Sequence, residues 1–207
     1  MILIPEGEFL SGASLARVTL PSYYIDRLEV TNELYGKFCA ETHKEIPVGF
    51  AEAPKNFPVV NITIDEARQF ARWAGKRLPT RLEWEKAARG TDARRYPWGN
   101  SPADRKRAQY AARFNDTAPV DGFPDGASPY GVQDLAGNAW EWVSSAYRPY
   151  PYDAGDGREN PAAGPVRATR GGGHDSPAEE ITTTQRGHNL SRNPAAGHHN
   201  IGFRCAK

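Results

Sequence analysis

Cysteine is scarce in this sequence. Only Cys39 and Cys205 occur among 207 residues, and neither sits in a CxxC pair or a Cys/His cluster. That scarcity argues against a disulfide-stapled secreted framework and against a zinc ribbon. Two buried thiols are the plain expectation, with a single disulfide between them as the alternative. A surplus of charge is also lacking, with 26 Lys and Arg against 25 Asp and Glu. Nothing in that balance suggests a nucleic-acid groove or an anionic membrane as partner. Arg94, Arg95, Arg105 and Arg107 cluster, but Asp and Pro interrupt them, and they read as solvated surface. No apolar run approaches the ~18 residues of a membrane span. The opening "MILIPEGEF" has no charged segment ahead of an apolar stretch, so it is not read as a secretory signal. A cytoplasmic protein, or a piece cut from a longer chain, is expected.

Glycine and proline are plentiful, at 20 and 17 residues, and aromatics make up 11%. This suits a loop-rich fold whose core is filled by Trp, Tyr and Phe. The length fits a single domain over residues 1–207.

The first 26 residues read as β structure, through "ILIPEGEFLSG" and "ARVTLPSYYID". A helix is then predicted in "VTNELYGKFCAETHK", with Thr31 as N-cap and Leu34, Tyr35, Phe38 and Cys39 on one face. After a Pro-rich connector over 45–60 comes a second helix. Thr63 and Glu66 form its capping box, Ile64, Ala67, Ala71 and Ala74 its stripe, and Gly75 its stop. A third is capped by Thr80 with Glu83 and ends at Gly90. Beyond residue 91 the periodicity fades. Short β-like pieces remain in "GVQDL", "WEWVSSAY", "RATRGG" and "IGFRCA", and the tryptophans there argue for ordered loops.

One stretch, "DLAGNAWEW", sets Glu141 between Trp140 and Trp142. A carboxylate enclosed by aromatics must be paired, hydrogen-bonded or bound to a cation. Two alternatives stay open here: a cation at the turn, or a buried arginine or backbone amides against Glu141.

The segments "PEGEFLSG", "YYIDRLEVTNELYGKF", "AGKRLPTRLEWEKAARG", "YPWGN", "GVQDLAGNAWEWV", "RGGG" and "NIGFRCAK" together resemble, in order, the formylglycine-generating enzyme (sulfatase-modifying factor) family. The resemblance covers nearly the whole chain. It implies an α+β fold, a variant of the C-type lectin fold. The expected parts are a small twisted antiparallel sheet, about three helices and extensive irregular loops. It also implies structural calcium at the quoted turn, held by the side chains of Asp134 and Glu141 and the backbone carbonyls of Gly137 and Ala139. Calcium takes such mixed oxygen sets. A second family calcium site maps onto "YAARFNDTAPVDGF" and lacks its asparagine, leaving Asn115, Asp116 and Asp121 as substitutes.

The family's oxidases bind copper through two cysteines, and these positions map onto Ser176 and Ile181. A hard hydroxyl and an alkyl group cannot replace soft thiolates, so copper-thiolate oxidation is expected to be absent. The family's iron-dependent branch takes its ligands from a separate helical domain that this sequence does not contain. His43 is the only histidine before residue 170, while His174, His188, His198 and His199 gather near the end. A metal-dependent oxidoreductase with non-cysteine ligands is the alternative they leave. The favoured reading is a ligand- or protein-binding module. Its face would comprise His174, Asp175, Ser176, His188, Asn189, Ser191, His198, His199 and Asn200, an adaptable hydrogen-bonding set. Relatives in diversity-generating retroelements vary the corresponding face, and the Asn-, His-, Ser- and Asp-rich segment here resembles such a variable region. Arg186, Arg192 and Arg204 are expected to pair with carboxylates such as Glu83 and Asp134.

Overall fold

A computed structural model describes residues 1–47, 49–50, 52–113, 116–149, 152–153, 155–160, 166–188 and 198–207; of His188 only the backbone is described. The N-terminal β region forms two antiparallel pairs. Strand β2 (Gly7–Ser11) pairs with β3 (Ala16–Leu20) as a hairpin, and β1 (Ile2–Ile4) pairs with β4 (Tyr23–Ile25). The C-terminus closes on this region. Tyr24 and Lys207 exchange backbone hydrogen bonds of 3.0 and 2.8 Å, and Ala206 bridges both Ile25 and Arg77.

All three predicted helices are present. Helix α1 (Asn32–Thr42) starts at Thr31, whose side chain accepts from Leu34 N–H, and stops at His43 in the left-handed conformation. Tyr35, Phe38 and Cys39 are buried as the spacing predicts. Leu34 is not, with 40% of its surface exposed. Its place belongs to Asn32, which lies on the same stripe as Tyr35 and Cys39 and donates to the Pro54 carbonyl. Helix α2 (Ile64–Trp73) has the Thr63–Glu66 capping box, and Phe70 joins Ile64, Ala67 and Ala71 on its buried face. Tyr35, Phe38, Phe70 and Phe203 pack against one another with ring centroids 5.3–6.3 Å apart. Such pairs contribute about 0.5–1.5 kcal/mol each beyond their buried area. Cys39 and Cys205 lie in this same core as free thiols.

Helix α3 (Arg81–Arg89) departs from an amphipathic pattern, because all nine residues are buried. It packs against the β2–β3 hairpin on one side and against β5 (Trp140–Ala146) and β6 (Arg167–Arg170) on the other. Its charges are therefore matched internally. Lys86 Nζ donates to the carbonyls of Pro5 and Gly7, and Arg89 donates to those of Leu10 and Gly12. Glu85 meets Arg170 at 2.9 Å with both side chains excluded from solvent.

A third, four-stranded sheet has the order β7-β6-β5-β8, with β7 at Arg186–His188 and β8 at Ile201–Gly202. The expected antiparallel sheet is mixed at one edge, where β8 runs parallel to β5. "GVQDL" is not a strand. Val132 and Leu135 reach the core, but the backbone there is irregular, with Gln133 N–H bonded to the Arg27 carbonyl. No helix among the described residues is long and apolar enough to cross a membrane.

Candidate functional site

Strand alternation explains why two tryptophans flank Glu141. Trp140 and Trp142 share one face of β5 and pack toward α1 and α2, where Trp142 Nε1 donates to the Ile62 carbonyl. Glu141 points the other way, toward α3. The aromatic ring that touches it is Trp84, whose Nε1 donates to Oε2 at 2.7 Å. Arg204 completes the contact through Nε to Oε2 at 2.7 Å and Nη2 to Oε1 at 2.6 Å. Both partners are essentially solvent-free, so this is a bidentate buried ion pair. Arg204 also donates to the carbonyls of Asp26, Arg27 and Gln133, which satisfies the rest of its fork.

Two further carboxyls sit in the same interior. Glu29 accepts from Asn138 Nδ2 at 2.6 Å and from Ala139 N–H at 3.1 Å. Burial, and then the Asp134 and Glu141 carboxylates, push Glu29 well above the ordinary carboxylate range despite Arg204 and Asn138. Asp134 has a left-handed backbone, with φ 56°, and its Oδ2 is buried with no hydrogen-bond partner among the described residues. Burial pushes it up to about 8; Arg204 opposes the shift, while Glu141 and Asp121 add to it. One guanidinium thus faces three carboxyls. Two protons or one divalent cation would balance the centre.

The Gly137-Asn138 pair links this centre to the surface. Gly137 has φ 79°, and a Cβ there would lie 2.2 Å from the Gln109 carbonyl oxygen, so no other residue fits without movement. Asn138, also left-handed, accepts from Ala118 N–H through its side chain and from His174 N–H through its carbonyl at 2.7 Å. His174 Nδ1 lies 3.2 Å from that same carbonyl. The loop 171–176 therefore hangs on the turn that carries Asp134.

At the surface, Asn200 Nδ2 donates to both oxygens of Asp175, at 3.0 and 3.1 Å, and His199 Nε2 stands 3.3 Å from Asp175 Oδ2. His198 Nδ1 meets Asn200 Oδ1 at 2.8 Å, and its ring lies 4.5 Å from that of His199. Burial would raise Asp175, but Asn200, His174 and His199 outweigh it and hold the carboxyl below its usual range. Burial and the neighbouring His198 pull His199 down, against the attraction of Asp175. His174, Asp175 and His199 can bring one ligand atom each within 4.8 Å of the others, so these three residues could hold a metal ion. His199 also borders a cavity of about 600 Å³, walled by Phe50, Pro54 and Phe57 of the connector, by Asn61 and by Asp116.

Of the surface residues predicted from sequence, Asp175, His198 and His199 are open or half-open, whereas His174, Ser176 and Asn200 are buried and support the loop from beneath. His188 lies in β7 opposite Ala168. Asn189 and Ser191, like Asn115 and Arg192, lie outside the described residues. Ser176 Oγ accepts from Gly173 N–H, and Ile181 is enclosed with Tyr96, Ala108 and Ala136. The clustered arginines are locally engaged. Arg94 pairs with Asp92, Arg107 with Asp104, and Arg95 and Arg105 lie over Tyr96 and Tyr110. Arg204 pairs with Glu141, while Glu83 takes Arg77. Glu29, Trp84 and Asn138 are the participants that pattern reading missed. An acid at 29 and a tryptophan at 84 carry no local signal of convergence, because they lie far apart in sequence from Glu141.

Fold and site together define a loop-rich C-type-lectin scaffold with a charged interior beneath a polar face. The chain belongs to the sulfatase-modifying-factor family, matching the Sulfatase-modifying factor enzyme 1-like domain over residues 1–207. It is 39% identical to the formylglycine-generating enzyme of Streptomyces coelicolor, over 73% of this chain and 52% of that protein. It is 31% identical to hercynine oxygenase of Mycolicibacterium smegmatis, over 72% and 46%. It is 32% identical to serine/threonine-protein kinase pkn1 of Chlamydia caviae, over 100% and 38%. The chain spans about half, or less, of the length of these curated relatives. Among solved structures, PvdO from Pseudomonas aeruginosa superposes with a TM-score of 0.80 at 22% identity, over 99% of this chain and 92% of that one. Treponema denticola variable protein 1 gives 0.77 at 21%, over 100% and 94%. A Major Tropism Determinant variant, U1, gives 0.53 at 16%, over 89% and 50%. At these identities the structural likenesses show the fold alone.

Proposed function

We propose that this domain is a binding module that takes a protein or a small polar ligand on its C-terminal face. The observation that carries the reading is the Asp175–His199–Asn200 network, half-open to solvent at the rim of the 600 Å³ cavity and supported on a fixed loop. His198 is a further half-open member of the polar set, His174 and Ser176 lie buried beneath it, and His188, Asn189 and Ser191 are proposed to extend it. Copper-thiolate oxidation has no support here, since Ser176 and Ile181 stand where the resemblance would require the two thiols. The curated relatives are named as enzymes, but this chain spans about half or less of each, so their activities do not pass to it by likeness alone. Fold neighbours named as a variable protein and a tropism determinant favour binding. A diversity-generating retroelement is the origin in keeping with that set. A near-copy of the segment encoding residues 170–204 beside the gene would support this, and a gene without one would not carry it.

Calcium is the cation proposed for the interior. Asp134 fits it: an orphan oxygen, deep burial and an excess of negative charge all favour a divalent ion there. Glu141 fits less well, since Arg204 and Trp84 already engage both its oxygens. The ion would supply charge and rigidity to the turn, together with the Gly137 and Ala139 carbonyls.

Binding is tested by panning the purified domain against a displayed random-peptide library and measuring the enriched peptides by calorimetry. Asp175→Ala combined with His199→Ala should weaken them at least ~10-fold, as for residues central to an interface. Unchanged affinity would move binding off this face, and formylglycine formation from a cysteine peptide with copper would reinstate the oxidase. The metal-dependent oxidoreductase reading rests on the His174–Asp175–His199 cluster.

A further inference from the structure

We infer that His174, Asp175 and His199 form a site for one divalent first-row transition metal ion. His174 is fully buried, and its Nδ1 faces a carbonyl, Asn138 O, which can only accept. The proton therefore sits on Nδ1, and Nε2 keeps its lone pair. That nitrogen is shielded from solvent and has no hydrogen-bond partner among the described residues. A histidine whose tautomer is fixed from behind by a backbone carbonyl presents its other nitrogen as a ligand.

The second donor is prepared in the same way. Asn200 Nδ2 grips both oxygens of Asp175 and sets the plane of the carboxylate. His199 Nε2 stands 3.3 Å from Asp175 Oδ2, a spacing that suits two ligands of one ion as well as a hydrogen bond. His198 packs against the His199 ring and bonds Asn200, so the residues behind the ligands are themselves tied together. Metal–ligand bonds of ~2.0–2.2 Å place neighbouring donors roughly 3–3.5 Å apart. One ligand atom from each of the three residues lies within 4.8 Å of the others, so a modest rotamer adjustment closes the set.

Two imidazoles and one carboxylate form the donor set of Zn(II), Fe(II) and Co(II), whereas calcium prefers oxygen alone. Three protein ligands leave at least one coordination position for water or for a donor atom from a bound molecule. His199 is shared with the cavity wall, which sets a molecule in that cavity beside the ion. Gly173 is part of the construction, since a Cβ there would lie 3.0 Å from Trp140 and 3.1 Å from Asp175 Oδ1. The site goes beyond the binding reading and does not depend on it.

The test is direct. Protein stripped with EDTA is dialysed against zinc or cobalt chloride, and bound metal is read by elemental analysis and by the visible absorption of cobalt. Stoichiometric uptake with a nitrogen- and oxygen-ligated cobalt spectrum is expected. His199→Ala and Asp175→Asn should each weaken uptake at least ~10-fold, as ligand losses do. The exposed His43→Asn should leave it unchanged. His174→Ala removes a buried side chain, so the two rim variants decide the outcome, with folding checked by circular dichroism. The proposal is overturned if the wild type takes up no stoichiometric metal, if a folded His199→Ala/Asp175→Asn variant binds undiminished, or if excess calcium displaces the metal. Neither readout uses a partner, so its failure leaves the peptide-binding reading standing.

Discussion

The interior around Glu141 and the face around Asp175 are built from similar chemistry and differ in closure. Inside, Glu141, Arg204 and Trp84 satisfy one another without solvent, and carboxyl excess is left at Asp134 and Glu29. Outside, Asp175 and His199 make a longer, half-open contact, and Asn200 holds the carboxylate in place. Enclosure turns polar groups into a demand for matching charge, and partial exposure leaves them free to exchange partners. One molecule uses both states, and Asn138 joins them by contacting Glu29 with its side chain and His174 with its carbonyl.

The largest expected effect breaks the interior. Arg204→Ala leaves Glu141 buried without its cation and should cost about 3–5 kcal/mol in denaturant unfolding. A combined Glu141→Leu/Arg204→Met variant should recover a substantial part of that loss, because apolar replacement removes both desolvated charges. If the double variant is no better than the single, the pair organises more than charge.

Gly137→Ala comes next. A left-handed backbone and a Cβ placed against the Gln109 carbonyl should lower stability by roughly 1–3 kcal/mol. Metal uptake at His174 should weaken with it if the turn positions the face.

A third measurement concerns pH. The folded state holds a proton at Asp134 up to about 8, while the unfolded chain releases it near the ordinary value of about 4. Between those values the native state binds more protons, so stability falls as pH rises from about 4 to 8 and levels above it. Glu29 shifts in the same direction. Saturating calcium should flatten this slope in thermal melts, since the ion replaces the proton. A slope that is unchanged by calcium and by EDTA removes the ion from Asp134.

The smallest effect on stability is expected at the rim. His199→Ala should move the unfolding free energy within about 0.5 kcal/mol while weakening metal uptake at the face at least ~10-fold. A severe loss of stability there would make the rim an extension of the interior.

The helices were legible from the sequence because their signals are local. Thr63 with Glu66 and Thr80 with Glu83 form the capping boxes that their spacing predicts, and Gly90 closes α3 with a positive φ. Tyr35, Phe38 and Cys39 point inward for the same reason. The full burial of α3 was not legible, since its charges report only that partners are needed and not that the hairpin, β6 and the Gly7 carbonyl supply them. Likewise "AWEW" announced a carboxylate in need of a partner, but left open whether that partner was a cation or an arginine.

By itself, the sequence determined the three helices, the aromatic core, the family motifs and the gathering of histidines near the C-terminus, all of which depend on neighbours within a few residues or on composition. Tertiary structure alone decided that Glu141 meets Arg204 and Trp84, that Glu29 and Asp134 share an interior with too little positive charge, and that His174 is turned inward while His199 stays at the rim. The physical reason is that burial and pairing are properties of convergence in space. Residues 29, 84, 141 and 204 acquire them only when β5, β8 and α3 close around one centre.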